Sequence, residues 1–368
     1  MKFLNRMYAN KFIRYSFIVL VLLFAIEGFI LTASFFAIKL HLFNDPGAVD
    51  YNDRYFQDIQ KTELLSKNDT CNNPISSVFE FYQQLNILNS YFPYNAIKLH
   101  SCFLEHKDVN LSQRMFQAIQ LELIDSTEFI NDLKNGNVAL GSRIASDKNA
   151  FSWMNILEWE DFKIAVAKDS LIIDSVSRAT RVEPRLIVSV LLGEQMRLFN
   201  SSRETYKKVI NPLKILSVES KFSLGVTGIK EETAKRTERF IKDTSSVFYL
   251  GKEFEHLLDF STQDTANERF SRLVNYKNHY YSYMYAALII RQIRQQWLDA
   301  GYDISNRPEI LATLFNLGYA VSIPKPNPSV GGSRIIVHDK MYTFGSLAYQ
   351  FYYSGELNQL FPYKINYW

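Results

Sequence analysis

Between Tyr15 and Ile38 the chain reads YSFIVLVLLFAIEGFILTASFFAI, 24 residues with one ionisable side chain, Glu27. As a helix rising about 1.5 Å per residue, such a run reaches roughly 36 Å, enough to cross a hydrocarbon core of about 30 Å. Lys2, Arg6, Lys11 and Arg14 precede it without an acid, and Asp45, Asp50 and Asp53 follow soon after Lys39. The positive-inside rule then predicts a cytoplasmic tip at 1–14, a single-pass transmembrane anchor at 15–38, and an exported body in the periplasm or outside the cell. A cleaved signal peptide is the competing reading. Its apolar region would be shorter and would lead into a small-x-small site, which is not seen here. Glu27 reads either as a snorkelling or protonated side chain of a lone anchor or as a contact for an envelope protein partner.

The chain carries few chain-breaking residues, 14 Gly and 10 Pro in 368, about half of average usage. That excludes collagen-like and low-complexity chains and disfavours a turn-rich β fold. A hydrophobic content of 47% excludes disorder. A net charge of +3 argues against a dedicated nucleic-acid binder. The predicted class is therefore mainly α, with at most a small β element. Export also bears on the two cysteines, Cys71 and Cys102, for which a disulfide is the natural expectation in an oxidising compartment, two buried free thiols being the alternative.

Residues 39–150 read as an irregular stalk to about 75, then an N-terminal helical region interrupted at Pro93 and at the Asn-Gly-Asn of 135–137. This region is a second place where an envelope partner could dock. Residues 151–368 read as one helical domain with an aromatic C-terminal extension. In it DFKIAVAKDSLIIDSVSRAT precedes a helix entered through Pro184, a residue suited to a first turn. A long helix ends at Gly301, a further one covers RPEILATLFNLGYAV, and RIIV is strand-like.

The helix opened by Pro184 has an apolar stripe at Ile187, Val190 and Leu191, resumed at Leu198, and Glu194 occupies the stripe position seven residues after Ile187. A carboxyl held against an apolar face has its pKa raised, as a general acid requires near neutrality. The alternative is a glutamate at the edge of the core paired with Arg197, three residues on.

Two further segments follow in order: Ser223-Leu-Gly-Val-Thr-Gly-Ile-Lys-Glu-Glu-Thr-Ala234, and Ala312-Thr-Leu-Phe-Asn-Leu-Gly318. Over residues 165–325 this succession resembles the lysozyme-like soluble lytic transglycosylases and goose-type lysozymes. The resemblance implies a lysozyme-like α domain that cleaves the bond between MurNAc and GlcNAc in peptidoglycan glycan strands. It implies Glu194 as the acid/base. It further implies Ser223, Gly225, Asn316, Gly318 and Tyr319 beside the sugars, and Thr233 and Ala234 on the helix after the loop. The chain departs from the family in three places. Gln195 follows the glutamate, Gly228 replaces the loop glutamine, and Phe315 replaces a tyrosine whose hydroxyl Tyr319 would have to supply. Glycosidases usually employ two carboxylates. Lytic transglycosylation implies one, which protonates the leaving oxygen and then deprotonates the 6-hydroxyl of the muramic acid, giving a 1,6-anhydro product. Asp303 and Glu309 near the third segment read as solvated residues flanking a helix start. A hydrolytic muramidase on the same fold and a non-catalytic glycan-binding or scaffolding domain are the alternatives.

Aromatic residues make up 15% of the chain. Tyr276, Tyr280, Tyr281, Tyr283 and Tyr285 form one group and Tyr349, Tyr352 and Tyr353 another, suited either to sugar stacking or to helix packing. No H-E-x-x-H, phosphate-binding loop or G-x-S-x-G signature occurs, so neither a metal nor a cofactor is expected.

Overall fold

The computed structural model describes residues 74–136, 145–199, 223–224, 226–364 and 367–368, with scattered helical positions between Tyr15 and Thr32. The stretches expected as a cytoplasmic tip and, through residue 73, as a stalk lie outside the described residues, as do Glu27, Cys71 and Gly225. Two units are separable, Met1–Gly47 and Ala48–Trp368. Among the described residues no helix is long and apolar enough to cross a membrane, and most of the stretch expected as an anchor falls outside them.

The second unit is mainly helical. Helices α1 (Pro74–Tyr91), α2 (Pro93–His106), α3 (Val109–Glu122) and α4 (Thr127–Asn135) come first. Pro93 opens α2 within its first turn, where its missing N–H costs nothing. The Asp108 carboxylate caps α3 by accepting from Asn110 N and Leu111 N. Then come α5 (Leu157–Lys168), α6 (Ser170–Thr180), α7 (Pro184–Phe199), a ribbon β1 (Ser223–Leu224) with β2 (Ile229–Lys230), and α8 (Glu231–Phe240). Helices α9 (Thr265–Val274), α10 (Tyr280–Asp299) and α11 (Pro308–Leu317) precede a hairpin, β3 (Arg334–Val337) with β4 (Lys340–Thr343), which leads into α12 (Phe344–Tyr353). Both ribbons are antiparallel, pairing Leu224 with Ile229 and Ile336 with Met341.

The stretch Asp161–Thr180 is broken at Asp169, whose carboxylate is taken by His279 Nδ1 at 2.5 Å and the Tyr283 hydroxyl at 2.6 Å. Among the described residues no break in the core occurs at the expected boundary near residue 150. Glu122, at the end of α3, is buried and accepts from Ser152 N (3.2 Å), Tyr342 Oη (2.9 Å) and Gln350 Nε2 (3.0 Å), with Lys340 Nζ 3.1 Å away. The N-terminal helices therefore share one core with α12 and its hairpin.

Arg185, on the first turn of α7, is fully buried and ties down the C-terminal segment. It donates to the carbonyls of Tyr352 (2.6 Å), Phe351 (3.0 Å), Glu356 (2.8 Å) and Phe361 (3.2 Å), with the Tyr363 ring 4.3 Å from its guanidinium. A cation near the end of α12 also complements the helix dipole.

Of the two expected cysteine states, the structure has Cys102 unbridged, with Cys71 outside the described residues. Cys102 carries a free thiol, buried on the inner face of α2 with Leu99, and burial pushes it up to about 11. Glu309 also differs from its reading as a solvated residue. It is 3% exposed and ion-paired to Arg307, since α11 lies in the core along most of its length.

Candidate functional site

Helix α7 is buried on nearly all sides, and Glu194 sits near its end at 3% exposure. Arg197 Nη2 donates to Glu194 Oε2 at 2.5 Å, the pairing allowed by their i,i+3 spacing. The β1–β2 ribbon closes over this carboxylate. Gln195 Nε2 holds the Val226 carbonyl at 2.7 Å, and Gly228 packs so closely that a Cβ there would lie 2.1 Å from Glu194 Oε2. Gly228 also has φ of +61°, a conformation natural to glycine. The two departures at Gln195 and Gly228 are thus one arrangement. The glutamine grips the loop, and the glycine lets its backbone reach the carboxylate.

The other segments arrive through Phe344 at the start of α12. Its ring fills the space a Cβ on Gly193 would take, 2.6 Å away, and it stacks on Phe315 with centroids 6.3 Å apart. Asn316 is next to that stack. Its Oδ1 accepts from Ser333 N (2.8 Å) and Ser333 Oγ (3.1 Å), fixing the turn that contains Gly332, where φ is +95°. Asn316 therefore spends its acceptor on the loop before β3.

The remaining expected positions are placed differently. Ser223 is in β1, paired in register with Lys230. Gly318, at φ of +88°, ends α11 by donating its N–H to Leu314 O at 2.8 Å. Tyr319 is buried in a cluster with Phe240 and Phe248. Its hydroxyl lies 2.9 Å from Thr237 Oγ1 and donates to Gln292 Oε1, and burial raises its pKa. It is not an exposed replacement for the hydroxyl missing at Phe315. Thr233 and Ala234 are on α8, with Ala234 buried.

Of the two tyrosine groups, Tyr283, Tyr285, Tyr349 and Tyr353 are buried, and Tyr352 packs against the core. Tyr285 donates to Glu238 at 2.5 Å, Tyr352 to Glu183 at 2.5 Å, and Tyr353 accepts from Arg114 at 3.0 Å. Only Tyr276, Tyr280 and Tyr281 retain appreciable exposure in their group.

Gly228 against Glu194 is the tightest constraint at the site, and the Gly-x-x-Gly spacing of 225–228 is the one sequence signal that points to it. Among the described residues no cluster of His, Cys, Asp and Glu could hold a metal. No family model matches the chain, and neither a curated protein nor a solved structure matches it.

Proposed function

We propose that this chain is a membrane-anchored peptidoglycan glycosidase of the lytic transglycosylase type, held by residues 15–38 with its body outside the cytoplasm. Glu194 would act alone. As an acid it protonates the oxygen leaving C1 of MurNAc, and the C1–O bond breaks. As a carboxylate it then takes the proton of the 6-hydroxyl, whose oxygen closes on C1 without consuming water. The observation that carries this reading is the closure of the β1–β2 ribbon on Glu194. It joins the first two segments of the resemblance around one buried carboxylate. In this state Arg197 Nη2 holds Oε2 of the carboxyl, so the acid step requires Arg197 to release that oxygen.

The test is digestion of purified sacculi by the full chain in detergent. New 1,6-anhydro ends support transglycosylation, and new reducing ends support a muramidase. No release by wild type, or equal release by Glu194→Gln, overturns both. The Glu194–Arg197 pair favours a second reading, a non-catalytic lysozyme-like domain that binds glycan or scaffolds an envelope assembly. Sacculus binding without turnover, retained in Glu194→Gln, would select it.

A further inference from the structure

A cleft of 410 Å³ opens between the 258–262 loop, α9 and the start of α10, and shares no lining residue with the Glu194 site. Its frame is Arg272, 8% exposed, whose guanidinium lies 4.8 Å from the Phe260 ring and 4.0 Å from the Tyr281 ring. The same group donates to Leu258 O (3.0 Å), Asp259 O (2.6 Å) and Glu268 Oε1 (2.6 Å). Glu268 in turn accepts from the backbone N–H and hydroxyl of both Ser261 and Thr262. Burial pushes its carboxyl up, but these hydrogen bonds prevail and bring it down to about 2. Asp259, also in the wall, is paired with Lys242 at 2.5 Å and His256 at 2.8 Å. Every charge lining the cleft is therefore already neutralised within the protein.

What the cleft offers a ligand is neutral. Tyr280 and Tyr281 present ring surface, and Ser271 presents a hydroxyl. Asn275 and Asn278 commit their Oδ1 atoms to backbone N–H groups of the 275–280 turn. Their Nδ2 groups make no hydrogen bond among the described residues. An anion would meet two carboxylates and a guanidinium already bound to three oxygens. A cation would meet carboxylates already paired. A pyranose ring has the matching surface, with CH faces for aromatic rings and hydroxyls for amide donors.

We propose that this cleft binds a neutral pyranose ring of a glycan chain, as a docking subsite separate from Glu194. The test is calorimetric titration of the full chain in detergent with β-1,4-linked tetramers of N-acetylglucosamine and, in a second arm, of glucose. Saturable binding of at least one tetramer is expected. Tyr280→Ala, and Ser271→Trp, which fills the cleft from an exposed position, should each weaken it by about tenfold or more. The unfolding midpoint of Ser271→Trp should stay at the wild-type value. No saturable binding of either tetramer, or an affinity indifferent to Ser271→Trp, overturns the proposal. Sacculus turnover lost in Glu194→Gln alongside such indifference would leave the glycosidase reading standing and this one fallen. Binding sensitive to Ser271→Trp in a chain without turnover would do the reverse.

Discussion

A Cβ on Gly228 would lie 2.1 Å from Oε2 of Glu194, so the ribbon and the carboxylate fit only because residue 228 has no side chain. Gly228→Ala has to overcome both this overlap and a φ of +61°. The left-handed backbone alone costs about 1–2 kcal/mol, and overpacking adds about 1–3 kcal/mol. A loss of more than about 2 kcal/mol in denaturant unfolding is expected. A loss no larger than about 1–2 kcal/mol, that of the left-handed backbone alone, would mean that the ribbon does not rest on Glu194.

The Glu194–Arg197 pair is almost inaccessible, with side chains 4% and 13% exposed. Removing one partner of a buried pair costs about 3–5 kcal/mol, because the other is left uncompensated. Arg197→Met should therefore destabilise strongly. Arg197→Met in a Glu194→Gln background should cost far less, and the double-mutant cycle should give a coupling above about 1 kcal/mol. Additive single effects would show that the pair carries no interaction of consequence.

Much of the helical frame was legible because its signals are local. Pro93 and Pro184 mark helix starts through their fixed φ and missing N–H, and Gly301, at φ of +84°, marks the end of α10. The position of Glu194 on an apolar stripe predicted its burial, and its spacing to Arg197 predicted their pairing. What could not be read depends on partners distant in the chain. The α5–α6 break at Asp169 is secured by His279 and Tyr283, more than a hundred residues later. Asn316 is spent on Ser333, and the Tyr319 hydroxyl on Thr237 and Gln292. The burial of Glu309 follows from how α11 packs, which its polar neighbours Arg307 and Asn306 do not announce.

Glu183, just before α7, links stability to pH. Burial raises its carboxyl above the ordinary 4.5, outweighing hydrogen bonds from the Tyr352 hydroxyl and Lys364 N and the field of Arg185. The folded state thus binds a proton more readily here than the unfolded chain does. Its contribution is fully present below about pH 4.5 and is lost as pH rises through the folded value. The difference in unfolding free energy, wild type minus Glu183→Gln, should fall as pH increases from about 4 to 7. A difference that rises over this interval would contradict the assignment.

Arg185 offers a sharper test of what holds the C-terminal segment. Its guanidinium serves four backbone carbonyls at once, a geometry that one ammonium group cannot match. Arg185→Lys should leave carbonyls of Phe351, Glu356 or Phe361 buried without donors, at about 1–3 kcal/mol each. A loss of at least about 3 kcal/mol is expected on chemical unfolding. Early exchange of amide hydrogens in 351–364 should accompany it. Unchanged protection there would show that the segment is held without the arginine.

Cys102 is the last residue whose behaviour separates the sequence-based expectation from the structure. Its thiol is free, lies in the core at 3% exposure, and burial is the main cause of its rise to about 11. Arg185 and Lys98 pull the other way without reversing it. Only the thiolate alkylates, so at pH 8 native Cys102 should react with iodoacetamide at least about a hundredfold more slowly than a cysteine of ordinary pKa near 8.5. Denaturation should restore full labelling without a reductant. If labelling of the denatured chain requires prior reduction, the Cys71–Cys102 disulfide exists and the free thiol is wrong. If native labelling is fast, Cys102 is not buried in the α2 core.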